Sequence, residues 1–361
     1  MTKPQHTLDT YGWNDRLAQA WQAISAEQPH LTPGRVTADF GTSLRIVIPT
    51  EITAELSGKL AHYSDRQSIP KIGDWVGVHV TDNNAVIEMV LPRTGEIARA
   101  AAGNKTVKQV IAGNVDVAFV LLALDNDFNI DRLRRYLYQL SINHIEPVIV
   151  LNKADKTDDL DSFTTQLDSF KIPIVITTAN EGKGIDEIVH HIPAAKTAIL
   201  LGSSGVGKST LTNALLGDAR QKTNSVRESD DTGKHTTVHR ELFLLPGGGM
   251  MIDTPGIREL QLWGTEEDLE ENFDDVTTLI SQCHYSSCQH NGEKGCAIQP
   301  ALDDGTLDPR HYAAYLKMKG ELVDLKTRNI AKSKADSAKE KKRSVTKQAK
   351  KLYKEAREEH V

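Results

Sequence analysis

Nine consecutive residues, GSSGVGKST from Gly202 to Thr210, satisfy the spacing G-x-x-x-x-G-K-[ST] at every fixed position. That pattern is suited to holding a polyphosphate. Gly202, Gly205 and Gly207 let the backbone turn tightly, so that its N–H groups, those of Ser203, Ser204 and Val206 included, close around phosphate oxygens at a helix N-terminus, where the dipole favours negative charge. Lys208 would reach the β- and γ-phosphates, the Ser209 hydroxyl would bind Mg²⁺, and Thr210 continues the phosphate-facing first turn. The flanks agree: TAILL before the loop reads as a buried strand, and TLTNALLG after it as a helix.

A phosphate loop does not choose a base, but the segment NKAD, Asn152 to Asp155, can. An ionised carboxylate only accepts hydrogen bonds, and guanine offers it two donors, N1–H and the N2 amino group, where adenine offers none on that edge. Asn152 would buttress the base site, the Lys153 stem would cover the ring face, and Ala154 lies between that stem and Asp155. TTANEG, following IPIVIT, would set the backbone of Thr178, Ala179 and Asn180 against the guanine. MMIDTPG is a buried strand ending in Asp253, which would hold Mg²⁺ through water, while Gly256 offers its N–H to a γ-phosphate. Between them ESDDTGKHTTVHR is polar and able to close over the phosphates. Either Thr236 or Thr237 would give Mg²⁺ its second hydroxyl, and the sequence leaves open which.

Together these elements resemble the GTPase fingerprint, but in the order base reader, base support, phosphate loop, switch I, switch II. The expectation is therefore a circularly permuted G domain, in which EGKGIDEIVHHIPAAK joins the ordinary termini, which lie close together on a compact domain. Switch II then runs directly into the C-terminal region.

The three cysteines of the chain all fall within CHYSSCQHNGEKGC. Cys283, Cys288, His290 and Cys296 form a Cys₃His set that would close a tetrahedral Zn²⁺ site with no open position, hence one structural zinc. His284, adjacent to Cys283, is the competing histidine and less well placed.

Elements must position these groups. Leu17, Trp21 and Ile24 behind Asn14 or Asp15 predict a short amphipathic helix. From Gly34 to Leu91 come five short runs, RVTADF, SLRIVIP, ITAEL, GDWVGVHV and AVIEMVL, which predict a small barrel of the oligonucleotide-binding (OB) type. VDVAFVLLAL, PVIVL, IPIVIT, TAILL, ELFLLP and GMMI read as strands of a largely parallel sheet covered by helices on both faces. The fold class expected is α/β: a helix and OB-type barrel over 1–95, the permuted G domain over 96–262, and a zinc-binding helical module with a basic tail over 263–361.

With 361 residues, 39% hydrophobic and 25% charged, the chain has the composition of a soluble globular protein. No apolar run approaches a membrane span, and MTKPQHTLDT lacks the apolar core of a secretory signal, so a cytoplasmic protein without a membrane partner is expected. The net charge of −6 hides an excess of +6 over residues 331–361. Such a tail is either a solvated helix or disordered arm, or an RNA-contacting segment. Between Gly34 and Leu91 five basic residues face seven acidic ones, which disfavours a broad phosphate-binding surface and leaves a one-sided patch with Phe40 or Trp75 as the RNA-contacting option.

The order of parts resembles the ribosome small subunit-dependent GTPase A family, also called RsgA or YjeQ/YloQ, across almost the whole chain: VGVHV, LPRTGEIAR, AGNVDVAFV, NKAD, GSSGVGKST, GKHTTVHREL, DTPGIREL and the C-x4-C-x-H-x5-C cluster. The resemblance implies a protein that hydrolyses GTP to GDP, binds the small (30S) ribosomal subunit late in its maturation, and contacts ribosomal RNA through barrel and zinc module; a monomer is expected. The position after DTPG is the aliphatic Ile257, where many small GTPases carry a water-orienting glutamine, so slow intrinsic hydrolysis is expected. The resemblance makes His235 the water-orienting candidate, against a solvated loop histidine. Two other readings compete: a GTP-gated rRNA-binding module in which hydrolysis is incidental, and an ATP-dependent enzyme, which conflicts with Asp155.

Overall fold

The structure, a computed structural model, describes residues 7–41, 43–63, 69–82, 84–101, 104–125, 127–227, 240–253 and 262–331. They fall into two compact units, one within residues 1–102 and 107–261 and the other within 103–106 and 262–361.

In the first unit, strands β1 (Leu31–Asp39), β2 (Leu44–Val47), β3 (Glu51–Leu56), β4 (Trp75–Val80) and β5 (Ala85–Val90) follow the expected runs. They join in the order β1-β2-β3-β5-β4, and β1 also pairs with β4, which closes the barrel. β3 and β5 are parallel and the other pairs antiparallel. Alternation sends Val36, Ile46, Val76, Val78 and Ile87 inward, each fully buried. Helix α1 (Asp15–Glu27) starts where the sequence predicts, its first turn capped by Asn14, whose side chain accepts from the Leu17 N–H at 3.1 Å. α2 (Gly58–Tyr63) follows β3.

Strands β6 (Ile97–Ala101) and β7 (Asn104–Ala112) make a separate two-stranded sheet in a stretch that the sequence presents only as a junction. The nucleotide layer then runs through β8 (Val117–Ala123), α3 (Ile130–Ser141), β9 (Glu146–Asn152), α4 (Leu160–Thr165), β10 (Ile174–Thr177), α5 (Ile185–His190), β11 (Thr197–Leu201), α6 (Lys208–Arg227), β12 (Arg240–Leu244) and β13 (Met250–Asp253). In space the strands stand β10-β9-β8-β11-β13-β12. The first five are mutually parallel and β12 is antiparallel to β13. All seven residues of β8 and all five of β11 are buried, as a parallel strand covered on both faces requires.

The barrel and this layer share one 11-stranded sheet, because β12 also pairs with β1 through Ala38↔Glu241 and Asp39↔Arg240. Two ion pairs reinforce that seam, Arg45 with the buried Glu241 at 2.8 Å and Arg240 with Asp39 at 3.8 Å. Deeper, Arg35 is 2% exposed. Its guanidinium donates to the carbonyls of Tyr11, Gly73 and Asn114 and to Thr197 Oγ1, and lies 5.3 Å over the Trp75 ring. Burial pushes its pKa down to about 10, so it stays charged at neutral pH and needs those acceptors. Trp75 is therefore core, 2% exposed, and is not available to stack a base. Arg93 of the LPRTGEIAR segment forks onto the buried Asp74 at 2.8 and 2.7 Å, offsetting part of the upward push of burial, which still leaves that carboxyl above its ordinary range.

The second unit holds α7 (Glu266–Asn272), α8 (Asp274–Ser281), α9 (Ile298–Asp303) and a helical stretch over residues 309–331. Thr265 and Asp268 form a capping box on α7. Its core is Leu269, Phe273, Val276, Ile298 and Tyr315, with Phe273 stacked on His311 at 4.8 Å. Among the described residues no helix is long and apolar enough to cross a membrane.

Candidate functional site

The five parallel strands end on the same side of the sheet, and the described residues of the nucleotide motifs follow or close those ends. Asn152 closes β9, Thr177 closes β10, the phosphate loop follows β11, and Asp253 closes β13. Ligands of open α/β sheets bind outside these carboxyl ends. The inverted order along the chain is therefore immaterial in space: one strand, β8, separates β9 from β11.

Asn152, 2% exposed, ties the parts together. Its Nδ2 donates to the Val206 carbonyl inside the phosphate loop at 2.8 Å, and its Oδ1 accepts from Thr177 Oγ1 at 3.0 Å and from the Ala179 N–H at 3.4 Å. One amide thus connects NKAD, TTAN and the loop. Gly207 must remain glycine for this contact: its φ is +103°, and a Cβ there would lie 2.2 Å from Asn152 Nδ2. Gly202, with φ +147°, is also confined, since its Cβ would lie 2.8 Å from the Leu121 carbonyl. Within the loop Val206 is buried while Ser204, Gly205 and Ser209 are exposed. Lys208 Nζ donates to the Gly202 carbonyl at 2.8 Å and the Ser203 carbonyl at 2.5 Å, which sets the ammonium against the loop. Ser209 and Thr210 lie in the first turn of α6.

In the NKAD segment, Lys153 takes the left-handed conformation, φ +62°, and leads into the turn Ala154–Lys156. Its Nζ bonds Asp125 Oδ2 at 2.7 Å, and this bond holds the Asp125 carboxyl below the usual range. The Asp155 side chain, 32% exposed, has Lys156 Nζ 3.4 Å away. Thr178 and Ala179 are buried and Asn180 is exposed. The sequence reading missed Asp125 and Asp127, both in the loop after β8. Asp127 accepts from Ser203 Oγ of the phosphate loop and from Arg132 at 2.9 Å. Burial pushes its pKa up, but the Ser203 and Arg132 bonds outweigh this and hold it low. LDNDF carries no signal beyond a polar turn. His235, Thr236, Thr237 and Gly256, with Ile257, lie outside the described residues.

In the second unit the donor atoms of Cys283, Cys288, His290 and Cys296 lie within 4.8 Å of one another. His290 Nδ1 stands 3.6 Å from Cys283 Sγ and 3.7 Å from Cys296 Sγ. Zinc bonds of about 2.3 Å to sulfur and about 2.0 Å to nitrogen require S···N edges of about 3.5 Å in a tetrahedron, so the set fits zinc. The Ala297 N–H donates to Cys283 Sγ at 3.4 Å, and Glu293 accepts from the Gln289 and Asn291 amides at 2.8 and 2.7 Å, shaping the loop around the thiols. His284 is outside the set: it packs on Gly295 and against the Tyr285 ring at 4.6 Å.

The comparisons with known proteins follow the same lines. The family model described as RsgA GTPase matches residues 90–263. A protein of Opitutus terrae named small ribosomal subunit biogenesis GTPase RsgA is 40% identical over 330 residues, covering 87% of this chain and 89% of that one. The crystal structure of YjeQ from Thermotoga maritima superposes with a TM-score of 0.60 at 26% identity, over 81% of this chain and 99% of its own. YloQ, titled a circularly permuted GTPase, shares the fold at TM-score 0.56 and 22% identity, over 82% of this chain and 96% of its own. The chain belongs to the RsgA GTPase family and has its circularly permuted GTPase fold.

Proposed function

We propose that the protein hydrolyses GTP to GDP and phosphate and acts in biogenesis of the small ribosomal subunit, whose binding stimulates turnover. The observation that carries the nucleotide part is Asn152, which links the NKAD strand to both the phosphate loop and the Ala179 backbone. In this reading Asp155 accepts from guanine N1–H and N2, Lys153 covers the ring, and Thr178, Ala179 and Asn180 close its far edge. Lys208 and the amides of residues 202–207, with Ser209 and Thr210, hold the phosphates, and Gly256 approaches the γ-phosphate. Ser209 and Asp253 bring oxygen donors to one edge of the sheet, of the hard kind that suits Mg²⁺, and Thr236 or Thr237 completes the set. Bound there, the ion supplies positive charge to the β,γ-phosphate oxygens. His235 orients the attacking water, a task the aliphatic Ile257 cannot perform.

Cys283, Cys288, His290 and Cys296 hold one structural zinc. The division into 1–95, 96–262 and 263–361, a monomeric state, a cytoplasmic location and ribosomal RNA contact by the barrel and zinc module belong to the same proposal. For the barrel, the available basic surface is narrower than the sequence implies, because Arg35 is buried and Arg45 is paired with Glu241. The decisive measurement is GTP turnover with and without purified small subunits. Stimulation is expected, and its absence with retained GTP-dependent subunit binding would favour the gated RNA-binding reading. Asp155→Asn tests the base reader separately: preference should move from guanine toward xanthine nucleotides, and an unmoved preference would remove Asp155 from that role.

A further inference from the structure

On the outer face of the barrel, three side chains converge around β4, which pairs with β1 on one side and with β5 on the other. His30 immediately precedes β1, whose first residue, Leu31, is the register partner of His79 on β4. On β5, Ile87 pairs with Val78 and Met89 with Gly77, so Glu88 is the extra residue of a β-bulge. The side chains of His30, His79 and Glu88 are 46%, 42% and 32% exposed, which leaves the cluster open to solutes.

The spacing is informative. Glu88 Oε2 lies 3.5 Å from His30 Nε2, and Glu88 Oε1 lies 3.5 Å from His79 Nδ1. Both separations exceed the roughly 2.7–3.2 Å of a sound N–H···O hydrogen bond. Each imidazole faces a different oxygen of the one carboxylate, and both separations are close to the roughly 3.3–3.4 Å that divides two ligand atoms of one ion with bonds of about 2.0–2.1 Å. Elsewhere in the molecule a histidine and carboxylate that simply pair, His311 and Asp275, approach to 3.1 Å. The three donor atoms lie within 4.8 Å of one another, and the two imidazoles meet edge to face with centroids 5.1 Å apart.

We propose that His30, His79 and Glu88 form a second metal site, distinct from the thiolate cluster, which takes a divalent transition ion of the zinc class. Two imidazoles and one carboxylate suit Zn²⁺, Co²⁺ or Ni²⁺ and are a poor set for Mg²⁺ or Ca²⁺, which prefer all-oxygen shells. Three protein ligands leave the fourth position to water. Because the ligands come from the start of β1, from β4 and from β5, the ion clips the strand pairing that closes the barrel. It leaves the nucleotide chemistry untouched, so the inference stands independently of the proposed GTPase activity.

The test uses the full chain with its thiolate site already loaded with Zn²⁺. Isothermal titration with Zn²⁺ and native mass spectrometry should both register one further equivalent. Titration with Co²⁺ should produce visible d–d bands without the thiolate-to-cobalt charge-transfer band. His79→Ala should abolish the further equivalent, and Glu88→Gln, which keeps side-chain shape and fold, should weaken it by more than about tenfold. His144→Ala, at an exposed histidine on α3's C-terminal side, should leave it unchanged. Far-UV circular dichroism confirms that each variant is folded. A single equivalent in the parent protein, a further equivalent that persists in both His79→Ala and Glu88→Gln, or a charge-transfer band showing that cobalt enters the thiolate cluster, overturns the proposal.

Discussion

Replacing Asn152 by alanine removes a donor to the Val206 carbonyl at 2.8 Å and an acceptor that serves Thr177 at 3.0 Å and Ala179 at 3.4 Å. The two short bonds contribute about 1 kcal/mol each, the long one little, and leaving the Val206 carbonyl without its donor adds about 1–2 kcal/mol, for a total of about 3–4 kcal/mol. If the nucleotide must restore the loop and the Ala179 backbone to their positions on binding, that energy appears as affinity, a weakening of about 150- to 700-fold. GTP and GDP should suffer alike, because the three contacts lie on the base side and at the loop, away from Asp253. Titration with fluorescent GTP and GDP analogues gives the affinities, and urea unfolding of the same samples confirms that the variant is folded. A change below about threefold, equivalent to about 0.7 kcal/mol, or a loss confined to GTP, would refute the idea that this amide assembles the site.

Arg35→Met, which keeps bulk but removes the buried charge and its donors, should cost about 3–5 kcal/mol and lower Tm by about 6–20 °C; an unchanged melting profile would contradict the bonding described for the guanidinium. With zinc in the thiolate cluster as proposed, its removal by a chelator should forfeit about 10–16 kcal/mol of apparent binding energy, and Cys288→Ser a part of it. Amide protection around residues 283–298 should collapse in hydrogen exchange while GTP affinity holds, and persistent protection would mean that zinc does not maintain this fold. His235→Ala should abolish subunit-stimulated turnover while sparing GTP affinity; retained stimulation would dismiss that histidine. Asp127 has a native pKa below its unfolded value of about 3.9, so its contribution is complete above that value and is lost only as pH falls through the lower native one. Asp127→Asn should therefore weaken GTP binding by the same factor at pH 5 and pH 8, and an effect that shrinks toward pH 5 would show that the carboxylate titrates there.

Strands buried on both faces carry no polar interruption, which is why PVIVL and TAILL could be read directly as β9 and β11. GSSGVGKST and NKAD were equally visible as residue types at fixed local spacing, and the structure sets both at the carboxyl ends of parallel strands in one sheet. What lay hidden depends on partners far along the chain. An arginine in a strand reads as solvent-facing, and only the arrival of Tyr11, Asn114 and Thr197 makes Arg35 a core residue. Trp75 suggested a stacking platform for the same reason. Asp125 and Asp127 occupy a plain polar turn until Lys153 and Ser203 come within reach. β6 and β7 lie in a stretch with no apolar run of its own to announce a sheet.

The seam between β1 and β12 bears on how this chain can be dissected. A fragment trimmed to residues 96–262 would carry an open edge at Arg240 and Glu241, with backbone N–H and C=O groups that had been matched now presented to any passing strand. It would also lose the guanidinium that satisfies Asn114 and Thr197, leaving polar atoms stranded at the root of β11. Such a fragment should self-associate and bind nucleotide poorly for reasons unrelated to catalysis, so truncation is a misleading way to ask what the barrel contributes, and point changes on its outer face are the cleaner instrument.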